Sequence, residues 1–220
     1  STPYYNDVYF KSSLNINYPD FLGGRRFFDI PIVAAASFLS SLISAASDAF
    51  QSSSLLFRQV DIQQALVLNE SDSIDYQVVI RQPENKLHVI EAFSQKHDGD
   101  FIQHVSSSVQ AVTQESESPN ALSTLQQKIT DKSSVEEFEK GYSTIGVTLS
   151  KNYRWLTELY STGRSYLGRL RQPQDQSEQR GYLLYPGLLD TGFQLGMQLL
   201  SKHFSSNEGF YIPSYMDALH

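Results

Sequence analysis

Tyr185-Pro186-Gly187-Leu188-Leu189-Asp190-Thr191-Gly192-Phe193-Gln194 is the stretch on which the fold turns. Proline suits the first position of a helix, where its missing N–H costs least. Leu188, Leu189, Phe193, Leu195, Met197 and Leu200 then recur at three- and four-residue spacing, which predicts an amphipathic helix. Asp190 and Gln194, four residues apart, fall on one side of it. On its own, an acid at this place reads as a helix-start carboxylate favoured by the macrodipole.

The same theme occurs earlier. Pro31 precedes residues 33–50, where Phe38, Leu39, Leu42, Ile43 and Ala46 hold helical spacing among small residues. Strand-like runs follow at Ser54–Leu68, Asp75–Arg81, Lys86–Ser94 and Phe101–Val112, separated by polar turns. One helix followed by an antiparallel meander is an α+β pattern. Residues 113–133 are rich in Gln, Ser, Glu and Thr and read as a linker, with a helical turn at Ala121–Lys128. Beyond it lie a short helix over Val135–Ile145, a strand at Ser165–Arg171 and the helix that begins at Pro186. The chain therefore divides into a first half, 1–112, the linker, and a second half, 134–220; a single mixed α+β domain is the other reading.

Composition narrows the function. Of 220 residues, 40% are apolar and 12% aromatic, ample for a core. With 17 Lys and Arg against 24 Asp and Glu, the net charge of -7 gives no footprint for nucleic acid. The absence of cysteine rules out disulfides and thiolate chemistry and fits the cytoplasm. The longest uncharged run, Ile30–Ser47, is broken by serines and falls short of the roughly 20 apolar residues of a membrane span. Ser1-Thr2-Pro3-Tyr4-Tyr5 has neither an initiator Met nor a signal-peptide pattern and reads as the interior of a longer polypeptide.

Four stretches resemble the dehydratase domains of modular polyketide synthases. The strongest is the opening stretch, which is similar to the family's His-Pro-x-Leu-Leu-Asp-x-x-x-Gln. Tyr142 and Gly146-Val147 fit a second signature, although Leu149-Ser150-Lys151-Asn152-Tyr153 stands where the family has Tyr-Gly-Pro-x-Phe. Near the front, Phe21-Leu22-Gly23-Gly24-Arg25 aligns with Phe-Leu-x-Asp-His and runs on to Asp29 and Ala34, which replace the family's Gly and Pro. Phe210–Leu219 is similar to the family's closing proline-led strand.

The resemblance implies a double hotdog, two helix-wrapped antiparallel sheets in one pseudo-dimeric domain. It implies dehydration of a β-hydroxyacyl thioester carried on the phosphopantetheine arm of an acyl carrier protein, with no other cofactor. The expected partners are that carrier protein and a neighbouring ketosynthase, with a homodimer in the full-length protein. Asp190 takes the place of the catalytic acid, Arg25 that of the histidine base, and Gln194, Tyr153 and Pro186 are the implied substrate contacts.

A base must exchange a proton near neutral pH, which imidazole does and guanidinium does not. Arg25 is suited instead to a carboxylate, a phosphate or Asp190 itself. A pairing with Asp190 is expected to keep that acid ionised. No histidine precedes His88; His88, His97, His104, His203 and His220 read as surface or dipole-satisfying residues without metal-ligand spacing. Arg164, Arg169, Arg171 and Arg180 read first as a solvated strand and loop, and second as a docking patch for an acidic carrier. The expectation is a dehydratase-like domain that has lost dehydration and serves as scaffold, docking surface or substrate holder. The alternatives are repurposed chemistry (assistance in chain branching, cyclisation or double-bond shift) and an active dehydratase.

Overall fold

The computed structural model describes residues 7–70, 72–82, 87–95, 99–113, 120–162, 165–173, 181–201 and 212–220. The first half is built on helix α1, Ala35–Phe50, which begins after Ala34 in extended backbone and stops where Gln51 turns left-handed at φ 50°. Phe38, Leu39, Leu42, Ile43 and Ala46 are buried as their spacing predicts, and so are Ala36, Ser37, Ser40 and Ala45. Burial extends round the helix because a sheet covers one side and a second helix the other.

That sheet is antiparallel, in the order β1-β6-β7-β8-β4-β13. Its strands are β1 (Val8–Leu14), β4 (Leu55–Ile62), β6 (Ile74–Arg81), β7 (His88–Gln95), β8 (Phe101–Ala111) and β13 (Tyr215–Leu219). Alternation buries Ile74, Tyr76, Val78 and Ile80 of β6 against α1. A second sheet, β10-β2-β3-β5, comprises β2 (Arg25–Phe27), β3 (Ile30–Val33), β5 (Leu66–Val67) and β10 (Val147–Leu149). The third, β12-β11-β9, comprises β9 (Lys132–Ser133), β11 (Leu156–Thr162) and β12 (Ser165–Leu170).

The helices after α1 are α2 (Asn120–Lys128), α3 (Val135–Thr144) and α4 (Pro186–Ser201). Ser134 caps α3 by accepting from Glu137 N–H at 3.2 Å, in a Ser-x-x-Glu start. Helices α1 and α4 pack together, and Ser40 Oγ donates to the Leu184 carbonyl just ahead of α4.

Strand β4 follows α1 and strand β13 follows α4, and these two pair antiparallel, Asp61 with Tyr215 and Phe57 with Leu219. The sheet thus joins both ends of the chain around two central helices, the arrangement of a double hotdog.

The sequence expectations need three amendments. Ser54–Leu68 is not one strand: Gln59 at φ 53° marks a bulge between Arg58 and Asp61 that bends β4, and Leu66–Val67 leaves to pair with β3. The helical turn expected at Ala121–Lys128 is the nine-residue helix α2, and Lys132–Ser133, at the end of the stretch expected to be a linker, pairs with β11. Strand β11 had no counterpart in the sequence reading.

Candidate functional site

Arg25 opens β2, placed by pairing with Leu149 of β10 and by the bond from Ser150 N–H to the Gly24 carbonyl at 2.7 Å. Asp190 is the fifth residue of α4, past the first turn, so the dipole reading does not describe it. It points inward and is 2% exposed. Helix α4 comes close to residues 151–153 because Gly187 has no side chain: a Cβ there would lie 1.8 Å from the Asn152 carbonyl oxygen.

These elements bring Arg25, Asp190, Gln194 and Tyr153 together. Arg25 Nε lies 3.5 Å from Asp190 Oδ1. Gln194 Nε2 donates to Asp190 Oδ2 at 2.8 Å and lies 3.3 Å from the Tyr153 carbonyl oxygen. Gln194 is therefore a satisfied buried amide that orients the acid. Thr191 Oγ1 donates to the Gly187 carbonyl at 2.8 Å. Pro186 is buried and opens the helix.

Arg25 is 8% exposed, an unusual place for a guanidinium without a carboxylate at hand. Burial raises the Asp190 carboxyl above its ordinary range, while Arg25 and then the Gln194 hydrogen bond oppose that rise without cancelling it. The expected pairing is present; the expected depression of the acid is not, because desolvation outweighs the neighbouring charge.

Two residues of the site were not singled out as such in the sequence. Tyr142 of α3 donates its hydroxyl to the Gln194 carbonyl at 2.6 Å, and its membership of the second motif was the available signal. Ser37 of α1 carried none. Both Tyr142 and Tyr153 hydroxyls have raised pKa values, chiefly through burial and next through the charge of Asp190. Among the described residues, the buried side-chain polar atoms without a hydrogen bond are Arg25 Nε, Ser37 Oγ and Tyr153 Oη. Ser37 and Tyr153 are neighbours, close enough for the serine to favour the ionised phenol, yet neither reaches ordinary hydrogen-bond geometry.

A polar cleft of about 660 Å³ is lined by Gly24 and Arg26, the chain neighbours of Arg25, and by Lys151 and Asn152, which precede Tyr153, but by none of the clustered side chains themselves. A groove of about 700 Å³ between α1, β1 and Tyr182 contains none of the clustered side chains. Chemistry, not size, locates the site.

The histidines lie elsewhere. His104 is not a surface residue: it is 1% exposed, stacked on Phe38 at 5.1 Å. Its Nδ1 donates to the Gln64 carbonyl at 2.8 Å and its Nε2 lies 2.7 Å from Ser94 Oγ. His88 packs edge-on to Phe50; His97 and His203 lie outside the described residues. So do Arg164 and Arg180, while Arg169 is paired with Glu158 at 3.0 Å. Among the described residues no group of three His, Asp or Glu could hold a metal, and no helix is long and apolar enough to cross a membrane.

Two family models match. One, described as the polyketide synthase dehydratase domain, covers residues 1–95; the other, described as the polyketide synthase dehydratase N-terminal domain, covers 117–220. No curated protein matches the chain significantly. Among solved structures, the dehydratase domain from the CurF module of curacin polyketide synthase is similar at 23% identity and TM-score 0.87, over 96% of this chain and 77% of that one. The CurK dehydratase domain is similar at 20% identity and TM-score 0.85, over 99% and 78%. The dehydratase domain of a mycocerosic acid synthase-like synthase is similar at 17% identity and TM-score 0.81, over 96% and 74%. With family models on both halves and the double-hotdog fold around the Asp190 helix, this chain belongs to the polyketide synthase dehydratase domain family.

Proposed function

We propose that this domain holds a carrier-borne acyl chain without removing water from it. The observation that carries the reading is the buried contact of Arg25 Nε with Asp190 Oδ1 at 3.5 Å. Dehydration needs a base for the α-proton and an acid for the departing hydroxyl. A guanidinium, which stays protonated throughout the working pH range, cannot accept the proton. The acid, for its part, is engaged by Arg25 on one oxygen and Gln194 on the other.

The similar structures include a His-to-Phe and an Asp-to-Asn mutant of the CurK dehydratase, both described as inactive. In this chain Asp190 remains, and no histidine stands before His88. The acyl group would arrive on the phosphopantetheine arm of an acyl carrier protein and pass to or from a neighbouring ketosynthase, with the synthase working in the cytoplasm as a homodimer. The test is to incubate the domain with a 3-hydroxyacyl group loaded on carrier protein and weigh the carrier. The loaded mass is expected to persist; loss of one water from the carrier would refute the reading.

A further inference from the structure

The groove of about 700 Å³ between α1 and the edge strand β1 contains none of the side chains clustered at Asp190, and its lining has a chemistry of its own. Helix α1 supplies Ser41, Ser44, Ala45 and Asp48, whose three- and four-residue spacing puts them on one face. Opposite stand Phe10 and Ser12 of β1, which pair with Val78 and Tyr76 of β6 and so share the side of the sheet that faces α1. Lys11, between them in sequence, falls on the other side. Tyr18 and Tyr182 add two further rings to the lining. Leu183 N–H donates to Ser44 Oγ at 3.3 Å, which holds the Tyr182 segment against the middle of the helix face.

The polar groups of this groove accept. Ser41 Oγ lies 2.7 Å from the Phe38 carbonyl oxygen and 2.7 Å from Tyr76 Oη. A carbonyl cannot donate, so the single serine proton goes to Phe38 and the phenol donates to the serine. What Ser41 and Tyr76 have left is lone pairs. Asp48, two helical turns along at about 10 Å, is exposed and has no ion pair among the described residues. It also sits in the last turn of α1, where the macrodipole disfavours an acid. With Lys11 on the far side of the sheet, Asp48 sets the charge of the groove.

We propose that this groove binds an arylalkyl ammonium ion that carries a hydroxyl at the far end of its ring. The ammonium meets Asp48, the ring lies among Phe10, Tyr18 and Tyr182, and the hydroxyl donates to the Ser41–Tyr76 pair. Each end of such a ligand brings the proton that the facing group lacks, and the surrounding rings favour the cation. An anion of the same shape meets a carboxylate and two acceptors instead.

The test titrates tyramine into the 220-residue chain at pH 7.5, followed by ligand-observed NMR. Beside it run phenethylamine, which lacks the hydroxyl, and 4-hydroxyphenylpropanoate, which has a carboxylate in place of the ammonium. Tyramine is expected to bind about fivefold more tightly than phenethylamine, the worth of one hydrogen bond, and the propanoate more weakly than either. Asp48→Asn should lose about fivefold or more in tyramine affinity while melting no lower than the wild type, because it takes an acid away from a helix C-terminus. Tyr76→Phe should bring the ratio of the two amine affinities toward one, and a ratio taken within one variant is insensitive to a uniform loss of binding. Absence of tyramine binding, a propanoate that binds as tightly as tyramine, or unchanged tyramine affinity in Asp48→Asn would each overturn the proposal.

Discussion

Tyr142 Oη donates a 2.6 Å hydrogen bond to the Gln194 carbonyl, fastening α3 to α4 one turn beyond Asp190. Tyr142→Phe removes the donor while the carbonyl keeps its acceptor role within the helix, so the loss should be that of one buried hydrogen bond, about 1 kcal/mol. Urea denaturation is expected to show a lower midpoint with an unchanged slope.

Arg25 and Asp190 should respond unequally to removal of the other. Asp190→Asn leaves a buried guanidinium that cannot shed its charge, and a loss of about 3–5 kcal/mol is expected. Arg25→Met leaves a carboxyl that can take a proton, so its loss should be smaller. Because the folded pKa of Asp190 is already raised, the stability it contributes is fully present below its unfolded value of about 3.9 and is lost as pH rises through the folded value. Deleting Arg25 raises that folded value further. The deficit of Arg25→Met relative to the wild type should therefore widen as pH rises through the folded value of the wild type in denaturant titrations.

His104 should make the domain sensitive to acid. Its pKa is lowered by burial, with the Gln64 carbonyl opposing. A folded value below the unfolded one, about 6.5, gives stability that is present above pH 6.5 and lost as pH falls through the folded value. The neutral tautomer with Nδ1 protonated already satisfies both neighbours. His104→Gln should be less stable than the wild type at pH 7.5 and show a flatter decline from pH 7 to pH 5 by thermal melting.

Gly187 sets the distance between α4 and residues 151–153. An added Cβ at 1.8 Å from a main-chain oxygen cannot be absorbed by a side-chain rotation, and forced separations of this kind typically cost about 1–3 kcal/mol. Gly187→Ala should lower the melting temperature and weaken butanoyl-pantetheine binding, since Asp190 and Gln194 ride on the displaced helix. Gly192→Ala, where an added Cβ would meet nothing within 4 Å, should stabilise by about 0.5–1 kcal/mol through helix propensity, raising the melting temperature slightly, and leave binding unchanged.

The legible parts of the fold were those encoded locally. Helices α1 and α4 were visible because their apolar residues repeat over four turns, and β6, β7 and β8 because alternation and polar turns bound them. Strand β11 escaped notice because Leu156–Thr162 buries few of its residues fully. The break after β4 depends on a left-handed Gln59, a conformation that side chain does not advertise. The pairing of β13 with β4 joins residues more than 150 positions apart, which no local pattern reports. In the site, Asp190 and Gln194 were legible from their spacing and motif, and Arg25 from its alignment. The placing of Tyr142 against Gln194 and of Ser37 near Tyr153 arises only from packing, and the burial of His104 does not show in the sequence because an alternating strand gives no sign that its inward position holds a hydrogen-bonded imidazole.

A site that does not interconvert hydroxyacyl and enoyl thioesters must also fail in the hydration direction, which shares the same transition state. A trans-2-butenoyl-pantetheine solution should keep its enoyl absorbance in the presence of the 220-residue chain at pH 7.5. Decay of that absorbance with formation of the 3-hydroxyacyl product, abolished by Asp190→Asn, would mean that the site is a working dehydratase.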